Sequence, residues 1–134
     1  MRVLLDTHLW LWWPLGSPQL ANQQRQAMDR SAQARRLHLA AISLWEAQML
    51  QAKGRLQLNQ PFEPWLRQAA AADGISVLPL DAEVVIRVNC LPNDFHGDPA
   101  DRLIVATALA HGLPLATCDR TIRLSQVVPL WSAA

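Results

Sequence analysis

The feature that most constrains this chain is the alternation of short apolar runs with longer stretches of helical periodicity. "RVLL" (residues 2–5), "LHLA" (37–40), "ISVLPL" (75–80), "LPLAT" (113–117) and "VVPLW" (127–131) are each too short for a stable helix and read as strands. Between them lie segments with helix start and stop signals. Residues 7–13 form a short helix closed by Pro14 and Gly16. A polar helix capped by Ser17 or Asn22 runs to about Arg36. Ser43 opens a helix that stops at Gly54, and after the connector "RLQLN" Pro61 starts another that ends near Gly74. Asp81 caps a helix reaching Cys90, and the loop "LPNDFHGD" leads into the strongest helix, Pro99 to His111, closed by Gly112. Strands alternating with helices predict an α/β fold, a central parallel sheet covered by helices on both faces.

Composition narrows the class. A length of 134 residues with no linker, repeat or low-complexity segment predicts one domain, residues 1–134, large enough for one substantial core. A hydrophobic fraction of 51% with 17% charged residues excludes a disordered chain. The net charge of +1 carries no global basic field, so any contact with nucleic acid must use local features. Cys90 and Cys118 form no CxxC spacing and read as reduced thiols in a cytoplasmic protein, Cys118 as a small core residue. The opening "MRVLLDTHLWLWWPLG" has the proportions of a signal peptide, but Asp6 and His8 interrupt it, and the apolar run 9–13 is too short to cross a bilayer. No membrane partner is expected.

Carboxylates fall where such a fold gathers its chemistry. Asp6 ends the first strand, Asp119 follows "LPLAT", and Asp98 and Asp101 open the strongest helix. Ligand sites in parallel sheets lie beyond the carboxyl ends of the strands, where helices begin. Each of these acids also has a local structural reading. Asp6, Asp98 and Asp119 suit helix caps, Pro99 suits the first helical position, and Asp101 favours the helix dipole.

Glu46 has no such reading. In "AISLWEAQML" (41–50) the residues Ile42, Trp45, Met49 and Leu50 recur at helical spacing, and Glu46 falls inside that apolar stripe. A mid-helix carboxylate directed inward needs a partner, either a salt bridge or something else that neutralises it. If Glu46 meets the same rim as the aspartates, four or five carboxylates share one cleft and cannot all stay ionised without a counter-charge. A hard divalent cation, Mg2+ or Mn2+, prefers oxygen ligands and answers that need; with few His and Cys residues, zinc is the weaker choice.

The stretches "LLDTHLWLWW", "AISLWEAQM" and "DPADRLIVATALAHGLPLATCDRTI", in that order and spacing, resemble the PIN-domain ribonucleases, and among them toxins of the VapC type from toxin–antitoxin pairs. The likeness spans almost the whole chain and is most specific in its last segment. It implies a PIN-like three-layer sandwich. It implies that Asp6, Glu46, Asp101 and Asp119 are the acidic quartet, with Asp98 an additional acid and Thr117 a hydroxyl that orients the shell. It further implies Mg2+- or Mn2+-dependent cleavage of RNA, a homodimer, and silencing by a cognate antitoxin entering the acidic cleft. Asp6, Asp101 and Asp119 are expected as principal metal ligands, Glu46 as a ligand or water-orienting base.

Other residues are read against that frame. Arg102 and Arg120 follow proposed ligands and are candidates for phosphate contact, for a salt bridge with Asp98 or Glu83, or for plain solvated charges. Lys53 and Arg55 are candidates for an RNA-contacting edge, whereas Arg25, Arg30, Arg35 and Arg36 decorate an exposed helix. Trp10, Trp12 and Trp13 cannot all face one core. At least one is expected at an interface with a dimer mate or an antitoxin, in preference to base stacking. His8 and His96 lie near the rim, while His38 and His111 read as structural. Two further classes compete: a non-catalytic binding module that keeps its acids, and an aspartyl phosphotransferase or phosphatase. The latter lacks the expected second Asp, since the position two after Asp6 is His8.

Overall fold

In the computed structural model, which describes residues 1–95 and 97–132, β1 (Val3–Leu5) runs up the middle of a parallel sheet. It leads into α1 (Thr7–Leu15) and α2 (Asn22–Gln33), then β2 (Leu37–Ala40), α3 (Ala41–Ala52) and α4 (Phe62–Ala70). After these come β3 (Ile75–Leu78), α5 (Ala82–Asn89), α6 (Pro99–His111), β4 (Leu115–Ala116) and α7 (Arg120–Ser125). Among the described residues the strand order is β3-β2-β1-β4. All pairings are parallel, with Leu4 opposite both His38 and Leu115. The chain builds outward from β1 to β3, then returns to the other side of β1 to lay down β4. The order reverses between β1 and β4, and in open parallel sheets that is where a crevice opens beyond the strand ends.

Strand side chains alternate between the two faces. Val3, Leu5, Leu37, Leu39 and Ala116 join a core with Trp10, Met28 and Trp65 from the helices on one side. Leu4 and Leu115 join a second core with Ile104, Val105 and Ala108 of α6 on the other. Strands β1, β2 and β4 are therefore buried, which explains their mostly apolar sequences, while the edge strand β3 is only partly covered. This is the expected three-layer arrangement. Gly16 and Gly112, at φ 64° each, close α1 and α6 in the left-handed region as their positions predict.

Four local expectations are corrected. "VVPLW" (127–131) is not a strand: it makes one isolated bridge, Leu130 to Leu115, because Pro129 has no amide to extend a ladder. Ser43 does not open the Glu46 helix. That helix starts at Ala41 directly from β2, and Ser43 is buried two residues inside it. α7, directly after Asp119, was not anticipated because six residues carry too little periodicity to read. The apolar stripe of α3 also differs from the one inferred. Leu44, Ala47 and Leu50 pack on one core and Ile42 on the other, while Trp45 is 49% exposed. Glu46 belongs to neither core.

Candidate active site

Asp6, Glu46, Asp98, Asp101 and Asp119 line one cleft of about 470 Å³ at the carboxyl end of the sheet. They come from five places in the chain, and the fold explains each. Asp6 follows β1 and is the N-cap of α1; Asp98 and Asp119 are the N-caps of α6 and α7. Asp98 accepts from the Asp101 amide at 3.0 Å and Asp119 from the Ile122 amide at 2.9 Å. The capping and clustering readings are thus not alternatives. The caps fix the carboxylates, and the helix starts they cap all point at the same crevice, where their partial positive charge favours anionic groups.

Hydroxyl side chains orient the acids. Thr117 donates to Asp6 Oδ2 at 2.6 Å and accepts from the Asp119 amide at 3.0 Å, so one buried threonine couples the residues after β1 and β4. Thr7 donates to Glu46 and pairs with the buried Ser43 hydroxyl at 2.8 Å. A hydroxyl has one proton, so with Thr7 donating to Glu46, Ser43 donates to Thr7. Among the described residues Glu46 therefore has a hydroxyl partner and no arginine. Thr7 and Ser43 were missed in the sequence. The available signal was a hydroxyl directly after the strand-end Asp, and a serine three residues before a helical Glu on the same face.

The electrostatics express crowding. Burial raises the pKa of Asp6, against the lowering effect of its bonds from Thr117 and Thr7. Burial likewise raises Glu46, opposed by the Thr7 bond and reinforced by the charges of Asp6 and Asp98. Asp101 is pushed up to about 7, by burial first and then by Asp6, Asp98, Asp119 and Glu46. A carboxyl with a raised folded pKa keeps its proton to higher pH than in the unfolded chain. The folded state then binds more protons between about 4 and 7, and stability contributed there is lost as pH rises through that window. In excess chelator, the melting temperature of Asp101→Asn should match the parent near pH 4 and exceed it increasingly toward pH 8. A difference that shrinks with rising pH would contradict this account.

Among the described residues, no group of three or more His, Cys, Asp or Glu side chains is already drawn together closely enough to hold an ion. The donor set nonetheless suits a hard cation: five carboxylates face one crevice, and three of them have burial-raised pKa values that a divalent charge would reverse. His8, Trp12, Gln19 and Cys118 complete the walls. Cys118 is exposed there, not a core residue as expected, because it lies past the end of β4 where the chain turns toward α7.

The proposed substrate-contacting cations do not join the cleft. No described Lys or Arg lines it. Arg102 donates to the Phe95 carbonyl at 3.2 Å and makes neither of the salt bridges considered for it; among the described residues the ion pair is Arg67 with Glu63. Arg120 is exposed at the first position of α7, and Lys53 and Arg55 are exposed beyond the end of α3. Arg25 is not surface decoration either: it ties α2 to the end of α1 through the carbonyls of Trp13 and Ser17, at 2.9 and 3.0 Å. His38 is buried in the sheet and accepts from Arg2 at 2.9 Å, a structural role as read; His96 lies outside the described residues.

A parallel α/β sheet with an acidic crevice at its switch point defines the class, and the chain belongs to the PIN-domain family, whose model matches residues 3–127. It is 40% identical over 121 residues to Ribonuclease VapC22 of Mycobacterium tuberculosis, covering 90% of this chain and 89% of that protein. The fold is similar to that of the DNA-bound VapBC structure from Salmonella typhimurium, with a TM-score of 0.73 at 17% identity over 100% of this chain and 99% of that one. It is also similar to a toxin–antitoxin complex from Klebsiella pneumoniae, with a TM-score of 0.64 at 18% identity over 99% and 98% of the two chains.

Proposed function

We propose that this chain is a metal-dependent endoribonuclease, the toxin of a toxin–antitoxin pair, acting as one domain over residues 1–134. One observation carries the reading: Asp6, Glu46, Asp101 and Asp119, far apart in sequence, line the same cleft. The 40% identity to a protein named as a ribonuclease supports the reaction, and the likeness to a toxin–antitoxin complex supports an antitoxin as partner.

Asp6, Asp101 and Asp119 would be the principal ligands of Mg2+ or Mn2+, with Glu46 a further ligand or the group that orients the attacking water. Held there, such a cation would supply charge neutralisation for the phosphate and for the two reacting oxygens. The chain's own residues do the positioning. Thr117 holds Asp6 and the backbone of Asp119 in one arrangement, and Thr7 with Ser43 fixes the direction of Glu46. Asp98 completes the acidic wall while capping α6. Water forms a new bond to phosphorus and gives up a proton, the P–O bond to the leaving oxygen breaks, and that oxygen takes up a proton, giving one phosphate-bearing end and one hydroxyl end.

A homodimer and a cytoplasmic location belong to the same proposal. Val85 and Ile86 of α5 are 54% and 53% exposed, apolar surface that a second copy of the chain would cover. Among the described residues no helix is long and apolar enough to cross a membrane. The test is RNA cleavage by purified protein. Excess chelator should abolish it and Mg2+ or Mn2+ should restore it; cleavage persisting in metal-free protein would overturn the proposal.

A further inference from the structure

Resting on the nuclease reading, we infer that Trp12 is a stacking platform for one nucleobase of the RNA, held out of its own stack beside the acidic cleft. The cleft wall carries five carboxylates and no described Lys or Arg, so its own side chains repel a polyanionic backbone. Beside what the helix starts and a bound cation would contribute, a side-chain grip made by this wall must come from groups that do not depend on attraction to phosphate. The wall offers Trp12, His8 and Gln19.

Of the three tryptophans in α1, two are committed to the fold. Trp10 is 1% exposed and donates its indole N–H to the Ala69 carbonyl at 3.2 Å. Trp13 donates to Asp29 at 2.8 Å, linking α1 to α2. Trp12 is partly buried against the core and turns its remaining surface to the cleft. Its ring lies 5.7 Å from that of His8, one helical turn earlier, at an interplanar angle of 51°. The ring is thus pre-positioned by packing, and stacking on it costs little ordering. Gln19, across the end of α1, adds an amide able to donate to and accept from a base edge.

The arrangement has a consequence for the substrate. A base reaches Trp12 only if it is unpaired and splayed from its neighbours, so single strands and loops are accepted and continuous duplex is refused. Because every base presents a π-face, the platform alone is tolerant of sequence. The indole contributes no charge, so its part of the affinity persists when salt weakens phosphate contacts.

Steady-state cleavage of an unstructured RNA should be compared for the parent, Trp12→Phe and Trp12→Leu; the leucine variant keeps apolar packing but has no ring. Trp12→Leu should raise KM roughly 10-fold or more with a much smaller change in kcat, and Trp12→Phe should recover most of the loss. In parallel, a 2-aminopurine RNA bound to the Asp101→Asn protein should lose fluorescence on stacking, and adding Trp12→Leu should abolish that quenching. An unchanged KM with unchanged quenching would overturn the inference. So would a Trp12→Leu protein that loses only affinity for the antitoxin, which would make Trp12 a protein-docking residue. If the parent cleaves no RNA with any metal, the nuclease reading fails, and the quenching measurement alone decides the fate of the platform.

Discussion

Asp101→Asn should lower metal-dependent RNA cleavage by about 10²–10³-fold while leaving the protein folded. Asp101 is the acid on which the others converge: its pKa is pushed up to about 7 by burial and by Asp6, Asp98, Asp119 and Glu46 together. Asparagine matches its size but carries no charge, so it removes one anionic donor from the proposed ligand set and relieves repulsion among the rest. Loss of function should therefore accompany a gain in stability at neutral pH, a combination that a damaged fold does not produce. If Asp101 served only to favour the dipole of α6 at its third position, the substitution would change cleavage by no more than a few-fold and would destabilise the helix slightly. Cleavage rate and melting temperature measured on the same preparation separate the two.

Trp10→Ala should cost about 3–5 kcal/mol of stability, the range for removing a large buried aromatic side chain. Trp10 is among the most completely enclosed large side chains, with Trp65 at 5.8 Å between ring centroids and Phe62 in turn 6.0 Å from Trp65. The substitution leaves a cavity between α1 and α4 and strips the Ala69 carbonyl of its indole donor. For a domain of this size, whose total stability is on the order of 5–15 kcal/mol, that is roughly a fifth of the whole or more. The site suffers with the fold, because α1 begins at Asp6 and Thr7, the residues that reach Thr117 and Glu46. Trp12→Leu, two residues away, should by contrast leave the melting temperature within a few degrees, as roughly expected for a partly exposed position. Thermal melts of both variants test the division; equal losses would contradict it.

Much of this was legible in the chain. The short, mostly apolar runs at 2–5, 37–40 and 75–80 mark strands because helices cover most of a parallel sheet, and Pro99 and Gly112 bracket α6 by backbone chemistry alone. The acids at strand ends and helix starts were legible for the same reason: α/β topology makes those positions neighbours whatever the intervening sequence. The Glu46 argument reached the right cleft by an imperfect route. Trp45, counted as part of the buried stripe, faces outward, and the signal that places Glu46 is its hydroxyl partnership with Thr7 and Ser43. Such bonds link residues 36 and 39 positions apart, and local periodicity carries no trace of them. Long-range placement also explains why Arg102 makes neither salt bridge considered for it. Arg102 follows Asp101 in sequence, but consecutive helical residues point in different directions, and its guanidinium turns to the Phe95 carbonyl instead of the cleft.

The central claim is that carboxylates from separate strands and helices hold one divalent ion between them. Anomalous diffraction from crystals soaked in Mn2+ tests it without reference to activity. The account predicts a manganese peak within the Asp6–Glu46–Asp101–Asp119 cleft that disappears in Asp101→Asn crystals. Manganese bound elsewhere with this cleft empty, or a peak unchanged by the substitution, would contradict it.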